Sequence, residues 1–138
     1  SMLDFIKDSS HNVTSSTSWG NYYDSDTYKV YRGSLSSDYG DSWAAADTTN
    51  GSDVTKDTSI LLTTGATERN SSKNIYDVAG NCWEWTTEAD DTLNRVIAGG
   101  AFDYEFEDSN DPASCRSSNR PTSSIIYYSF RPLLYVAL

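Results

Sequence analysis

Apolar positions in this chain come in short bursts separated by long polar runs, and the spacing inside each burst indicates what it builds. Thr27–Gly33 (TYKVYRG) alternates β-branched and aromatic residues with polar ones, which predicts a strand closed by a turn glycine. Ser59–Gly65 (SILLTTG) is a compact apolar run ended by glycine and again reads as a strand. Arg95–Phe102 (RVIAGGAF) predicts a strand carrying a glycine pair, and Phe130–Leu138 (FRPLLYVAL) a terminal strand with Pro132 at an edge or bulge. Near the start, Leu3, Phe5 and Ile6 have the spacing of the end of an amphipathic helix, whereas Asn12–Asn21 is polar and reads as loop. Ser34–Ser59 has little periodicity, with Trp43 and Ala44–Ala46 marking a short packed turn. The polar turn Ala66–Lys73 then leads into Asn74–Trp85.

Composition narrows the class. The 138 residues suit a single domain over 1–138, and abundant Ser, Thr, Asn, Asp and Tyr favour short strands joined by turns over a helical bundle. A net charge of -10 argues against nucleic acid, which needs clustered Lys and Arg, and against anionic membranes. It is compatible with Ca²⁺, with cationic partners, or with a solvated surface alone. No apolar run is long enough to span a bilayer, so no membrane insertion is expected. Ser1–Asp8 lacks the basic and apolar regions of a signal peptide, which suggests a chain that begins inside a larger protein. The two cysteines, Cys82 and Cys115, are too few for a zinc site, and their spacing leaves a disulfide and two half-buried thiols equally open.

The most informative stretch is Asn74–Trp85, N-I-Y-D-V-A-G-N-C-W-E-W. It combines an apolar set (Ile75, Val78, Trp83, Trp85) with a central Gly-Asn and the carboxylates Asp77 and Glu84. The glycine permits a tight turn, and the tryptophans bury large areas beside it. On those grounds alone it is the aromatic core turn of a small fold as readily as a functional site.

This segment resembles the signature of the formylglycine-generating-enzyme (sulfatase-modifying-factor) superfamily, N-[LI]-Y-D-[ML]-x-G-N-V-W-E-W. RVIAGGAF, PASCRSSNRP and YYSFRPLLYV resemble further segments of that family in the family's order, so the likeness covers Asn74–Val136. The resemblance implies an α+β, C-type-lectin-like fold: twisted antiparallel sheets, few short helices and much irregular structure. It places Ile75, Trp83, Trp85, Val96, Phe130 and Tyr135 on inward faces.

Fold alone does not set function. The enzymes of the family need paired cysteines around the arginine that matches Arg116, and Pro112 and Ser117 stand at those positions here. Thiol redox or copper chemistry needs converging thiols, which the sequence does not supply there. His11, the only histidine, lies in a polar loop, and the abundant carboxylates, among them Glu105, Glu107 and Asp108, carry little specificity as acid–base candidates. No catalytic residue is therefore expected. The chain is more similar to another branch of the fold, the variable ligand-binding proteins of diversity-generating retroelements, whose C-terminal segment is rewritten at the adenines of asparagine codons. Such rewriting cannot yield Trp, Met, Lys, Gln or Glu.

In the region 101–130, Glu105 and Glu107 break this rule, whereas Asp103, Tyr104, Phe106, Cys115, Ser117, Ser118, Asn119, Ser123, Ser124, Ile125, Ile126, Tyr127 and Tyr128 all fit it and are the candidate ligand-binding positions. Ile125–Tyr128 cannot all face a core in an alternating strand, and exposed Tyr with Ser is the composition of antibody paratopes. These residues are expected to form one exposed face for a protein or other cell-surface ligand, on a phage virion or bacterial surface. Gly99, Gly100, Arg116 and Arg131 would hold its loops. The alternative is a divergent, inactive enzyme-like domain whose C-terminal loop is structural. The resemblance further implies a structural Ca²⁺ held by Asp77, the carbonyls of Gly80 and Cys82, and Glu84, although no cofactor is required and a metal-free turn capped by Glu84 is the competing reading. The Glu-Pro-Asn, Gln-Pro-Asp and Trp-Asn-Asp motifs of sugar-binding lectins are missing.

Overall fold

A computed structural model describes residues 2–103 and 112–131. In chain order its elements are helix α1 (Met2–Ile6) and strands β1 (Tyr28–Val30), β2 (Ser34–Ser36), β3 (Ala44–Ala45), β4 (Ser52–Val54) and β5 (Leu61–Leu62). A 3-10 turn (Glu68–Asn70) precedes β6 (Ser71–Ser72) and β7 (Ile75–Tyr76). The last strands are β8 (Trp83–Ala89), β9 (Arg95–Ala98), β10 (Arg116–Asn119) and β11 (Tyr128–Phe130). The result is a β-rich fold built mostly from antiparallel pairs: β1 with β4, β6 with β7, and β3-β2-β5. The largest sheet runs β10-β9-β8-β11, and there β11 lies parallel to β8.

Helix α1 forms where an amphipathic end is expected, but only part of its apolar set faces inward. Ile6 is fully buried and Leu3, three residues earlier, is half-buried, while Phe5 is exposed. Positions three apart share a helix face and adjacent ones do not, so Phe5 points away. Lys73 lies over its ring, 4.6 Å from the centroid. Tucked against Ile6 are Trp19, Tyr22, Val78 and Ala113. A second cluster gathers Val30, Val54, Leu62 and Ala66 under the small sheets. The third joins Trp83, Ile97 and Ala101, with Trp85, Cys115, Tyr127 and Tyr128 packed at its margin.

Several short strands need a device that ties them together, and two asparagines supply it. The Asn81 side chain accepts from the Leu62 amide at 2.9 Å and donates to the Leu62 carbonyl at 3.0 Å, which imitates a strand partner for β5. Its oxygen also accepts from Asn21 Nδ2 at 3.0 Å, while Asn21 donates to the Ile60 carbonyl and accepts from Tyr28. Both asparagines are buried, at 5% and 1% exposure, so their polar groups are matched inside the protein rather than by solvent. The turn feeding Asn81 is left-handed in several places: Asp77 at φ 55, Gly80 at φ 70 and Asn81 at φ 65. Asn and Asp tolerate this region better than most residues, and glycine tolerates it without steric cost.

The expected core is met at Trp83 and Val96, which are 3% and 6% exposed. Ile75 and Trp85 are only half-buried. Phe130 is a correction: it is 75% exposed rather than inward. It sits on β11 in register with Trp85, and among the described residues β11 is an edge strand with no neighbour on its far side. Tyr135 lies outside the described residues. Trp83→Ala is expected to cost about 3–5 kcal/mol, the usual range for emptying a buried aromatic site. Urea denaturation measures it, and a loss below about 1 kcal/mol would show that this ring is not a core member.

Candidate functional site

The four-stranded sheet has two faces, and its register assigns residues to them. Ser117 lies opposite Ile97, Ile97 opposite Trp85, and Phe130 beside Trp85. Side chains alternate along each strand, so Trp83, Asn119 and Tyr128 share this face while Glu84, Ala98, Arg116 and Ser118 occupy the reverse. The front face is therefore aromatic and hydroxyl-bearing above a buried Trp83–Ile97 floor.

The rings are fitted to one another. Trp85 and Tyr128 meet edge to face at 5.2 Å, and Tyr127 meets Tyr128 at 5.3 Å. Asn119 Nδ2 donates to the Tyr128 hydroxyl at 2.7 Å, and Asn119 Oδ1 accepts from Ser123 and from the Arg120 amide. The turn preceding β11 is closed by the Tyr128 amide on the Ile125 carbonyl and by the Trp83 amide on the Tyr127 carbonyl.

These contacts sort the expected ligand-binding residues. Ser117, Ser124 and Ile126 are exposed. Asn119, Ser123, Tyr127 and Tyr128 are half-buried and interlocked, so each presents an edge rather than a whole side chain. Cys115 is half-buried against the Trp83 cluster, and Ile125 and Asp103 are half-buried as well. Burial pushes the Asp103 carboxyl above the ordinary carboxylate range, and among the described residues its buried Oδ1 has no hydrogen-bond partner. The pleat carries Ser118 to the reverse face, where its hydroxyl bonds Asp90 at 2.7 Å. Tyr104 and Phe106 lie outside the described residues. Gly99 and Gly100 are buried under the sheet, whereas Arg116 reaches Glu88 on the reverse face. Trp85 and Phe130, which the resemblance places inward, are half-exposed and exposed on this face. The two-residue step from Tyr128 to Phe130 was the available signal, since it places both on one side of a strand.

The expected calcium ligands are engaged with protein groups. Arg131 Nε donates to Glu84 Oε2 at 3.0 Å, and its Nη2 bonds Glu84 Oε1 and the Tyr76 carbonyl. The Gly65 amide donates to Asp77 Oδ2 at 3.0 Å, and the Gly80 carbonyl accepts from the Cys82 amide at 2.9 Å. Burial raises the Asp77 carboxyl, opposed by the Gly65 amide and by the nearby Arg131. Calcium asks for six or more oxygens around it, and a guanidinium fixed on Glu84 competes with a dication there. This arrangement does not suit a calcium cage. Among the described residues no group of three or more His, Cys, Asp or Glu side chains is placed to hold a metal ion.

No disulfide joins Cys82 and Cys115. Burial, with Asp77, Asp103 and Glu84 nearby, pushes the Cys82 thiol up to about 12. At neutral pH it is a protonated, weakly nucleophilic group. His11 bonds Asp8 at 2.9 Å and meets Trp19 edge-on, a local loop arrangement.

Along the β11 edge of the sheet lies a cleft of about 440 Å³. Trp43 and Phe130 stand at it as exposed rings, Leu61 and Leu62 contribute apolar wall, and Asp77, Glu84 and Arg131 contribute charge. Trp43 was expected in a packed turn and is instead 46% exposed. The chain matches no protein-family model, no curated protein and no solved structure.

Proposed function

We propose that this chain is a non-catalytic ligand-binding domain with a C-type-lectin-like fold, most similar to the variable proteins of diversity-generating retroelements. In this reading it presents the front of the β10-β9-β8-β11 sheet to a protein or other cell-surface ligand, on a phage virion or bacterial surface. The observation that carries the reading is that Ser117, Trp85, Tyr128 and Phe130 share one side of a supported sheet, while Ser124, Ile126 and Tyr127 in the turn before β11 are exposed or half-exposed. Tyrosine and tryptophan give large contact area for little lost rotamer freedom, and serine gives adaptable hydrogen bonding. The reading treats the glycine pair, the asparagine hub and the Glu84–Arg131 pair as scaffold that stays constant while the face changes. A binding role also accords with the protonated Cys82 thiol and with Pro112 and Ser117 at the positions where the related enzymes carry cysteine.

Substituting Ser117, Ser124 and Ile126 together tests the reading. Each substitution is expected to shift stability by no more than about 0.5 kcal/mol while the triple variant changes ligand preference in a selection against cell-surface proteins. Cooperative loss of folding in that variant would favour a structural loop instead. Conversion of a cysteine-containing sulfatase peptide by the domain would establish the divergent-enzyme alternative. A near-copy of the 101–131 coding segment, differing at adenines and adjacent to a reverse transcriptase, is the expected genomic arrangement.

A further inference from the structure

The cleft at the β11 edge has a chemistry of its own, although Phe130 belongs both to it and to the front of the sheet. Its charged groups do not cancel. The Arg131 guanidinium is committed to Glu84 and the Tyr76 carbonyl, which leaves Asp77 as the unbalanced charge in the wall. Asp77 is 7% exposed, and a carboxylate so desolvated attracts a cation more strongly than one in water. Trp43 and Phe130 offer exposed rings beside it, and the negative faces of aromatic rings attract cations as well. The whole chain is negative by -10, which draws basic partners toward it. The cleft volume of about 440 Å³ is within the range that accepts small groups.

We infer that this cleft receives an arginine side chain of a partner protein, the guanidinium lying against the Trp43 and Phe130 rings and drawn to the Asp77 carboxylate. Arginine fits better than lysine because its planar, weakly hydrated head stacks on aromatic rings and pairs with a carboxylate through two parallel N–H groups. The assignment concerns the cleft alone and stands whether or not the sheet front is diversified.

The test is an NMR titration of the ¹⁵N-labelled chain with the acetylated, amidated tripeptide Gly-Arg-Gly. Matching peptides carrying lysine, or the neutral isostere citrulline, serve as comparisons. The arginine peptide is expected to shift the Trp43 indole N–H resonance saturably. Citrulline should bind at least about fivefold more weakly, because it keeps the shape and loses the charge. Lysine should also bind more weakly than arginine. Trp43→Ala and Phe130→Ala, both exposed and each expected to fold, should weaken binding of the arginine peptide. Asp77→Asn should reduce it to the citrulline level. Equal binding of arginine and citrulline peptides would overturn the inference, as would equal binding of lysine. So would shifts spread over the acidic surface that leave the Trp43 indole unmoved, or Trp43→Ala and Phe130→Ala variants that bind like the parent.

Discussion

Gly80→Ala is expected to abolish cooperative folding or to lower stability by more than about 4 kcal/mol, among the largest effects any single methyl group can have in this protein. Two costs coincide at this residue. Its φ of 70° is left-handed, which costs an L-residue about 1–2 kcal/mol. The added Cβ would also lie 2.1 Å from the Asn21 carbonyl oxygen and 2.7 Å from its carbon, where the obstacle is main chain and cannot swing aside. Relief would require separating the Asn21–Gly80 bridge, and with it the Asn81 amide on the Asn21 carbonyl at 2.7 Å. Gly40→Ala isolates the first cost: its φ is 88°, but the nearest atom to a new Cβ is Leu61 Cδ2 at 3.5 Å. Urea melts of the two variants should therefore differ by several-fold in lost stability. Similar losses would show that backbone conformation, not the close approach, governs Gly80.

Asn81→Ala is the second large effect, about 3–5 kcal/mol from several buried polar groups losing their partners at roughly 1–3 kcal/mol each. The substitution strips the Leu62 amide and carbonyl of their side-chain partner and removes the acceptor for Asn21 Nδ2. Water has little access at 5% exposure to replace them. Asn81→Asp separates the contributions: it keeps the acceptor for Leu62 and Asn21 but cannot donate to the Leu62 carbonyl, and it buries a charge. Both variants should unfold at lower urea concentration than the parent, and amide exchange at Leu62 should accelerate. Unchanged exchange there would show that Asn81 does not organise β5.

What the sequence made legible followed the length of each pattern. The alternation over Thr27–Gly33 and the apolar run at Ser59–Gly65 predicted strands, and β1 and β5 form inside them. RVIAGGAF likewise contains β9 followed by its left-handed glycine pair. The strands between Ser34 and Ser59 could not be seen, because two- or three-residue segments are too short for a period of two to register. β3 is exposed at both alanines, so it carries no burial pattern at all. The same limit applies to Phe130: its place in the motif indicated the core, but its exposure depends on β11 being an edge strand, a property of strand order rather than of local composition. The central Gly-Asn was visible as a turn. Its service to β5 was not, because Leu62 is nineteen residues away and no local spacing encodes that pairing. The binding face was legible in outline from Ile125–Tyr128, yet which hydroxyls face forward was decided by the β9–β10 register, which sends Ser118 to the reverse.

The ties that complete the fold join points far apart along the chain. The Tyr22 hydroxyl bonds the Gly99 carbonyl 77 residues on, and the Ala113 amide bonds the Ser16 hydroxyl across 97 residues. Parallel β11 pairs with β8 only after the intervening strands and turns have been laid down. Each such tie requires a large loop to close before it yields any stabilisation, which is the topology of slow folders, in the millisecond-to-second range (roughly) rather than microseconds. During synthesis β8 would lack its parallel partner until Tyr128–Phe130 have left the ribosome, with Trp85 uncovered on that side in the meantime. A chain made this way depends on β11 to complete its four-stranded sheet, so truncation before Tyr128 should yield a species prone to aggregate rather than a smaller working domain.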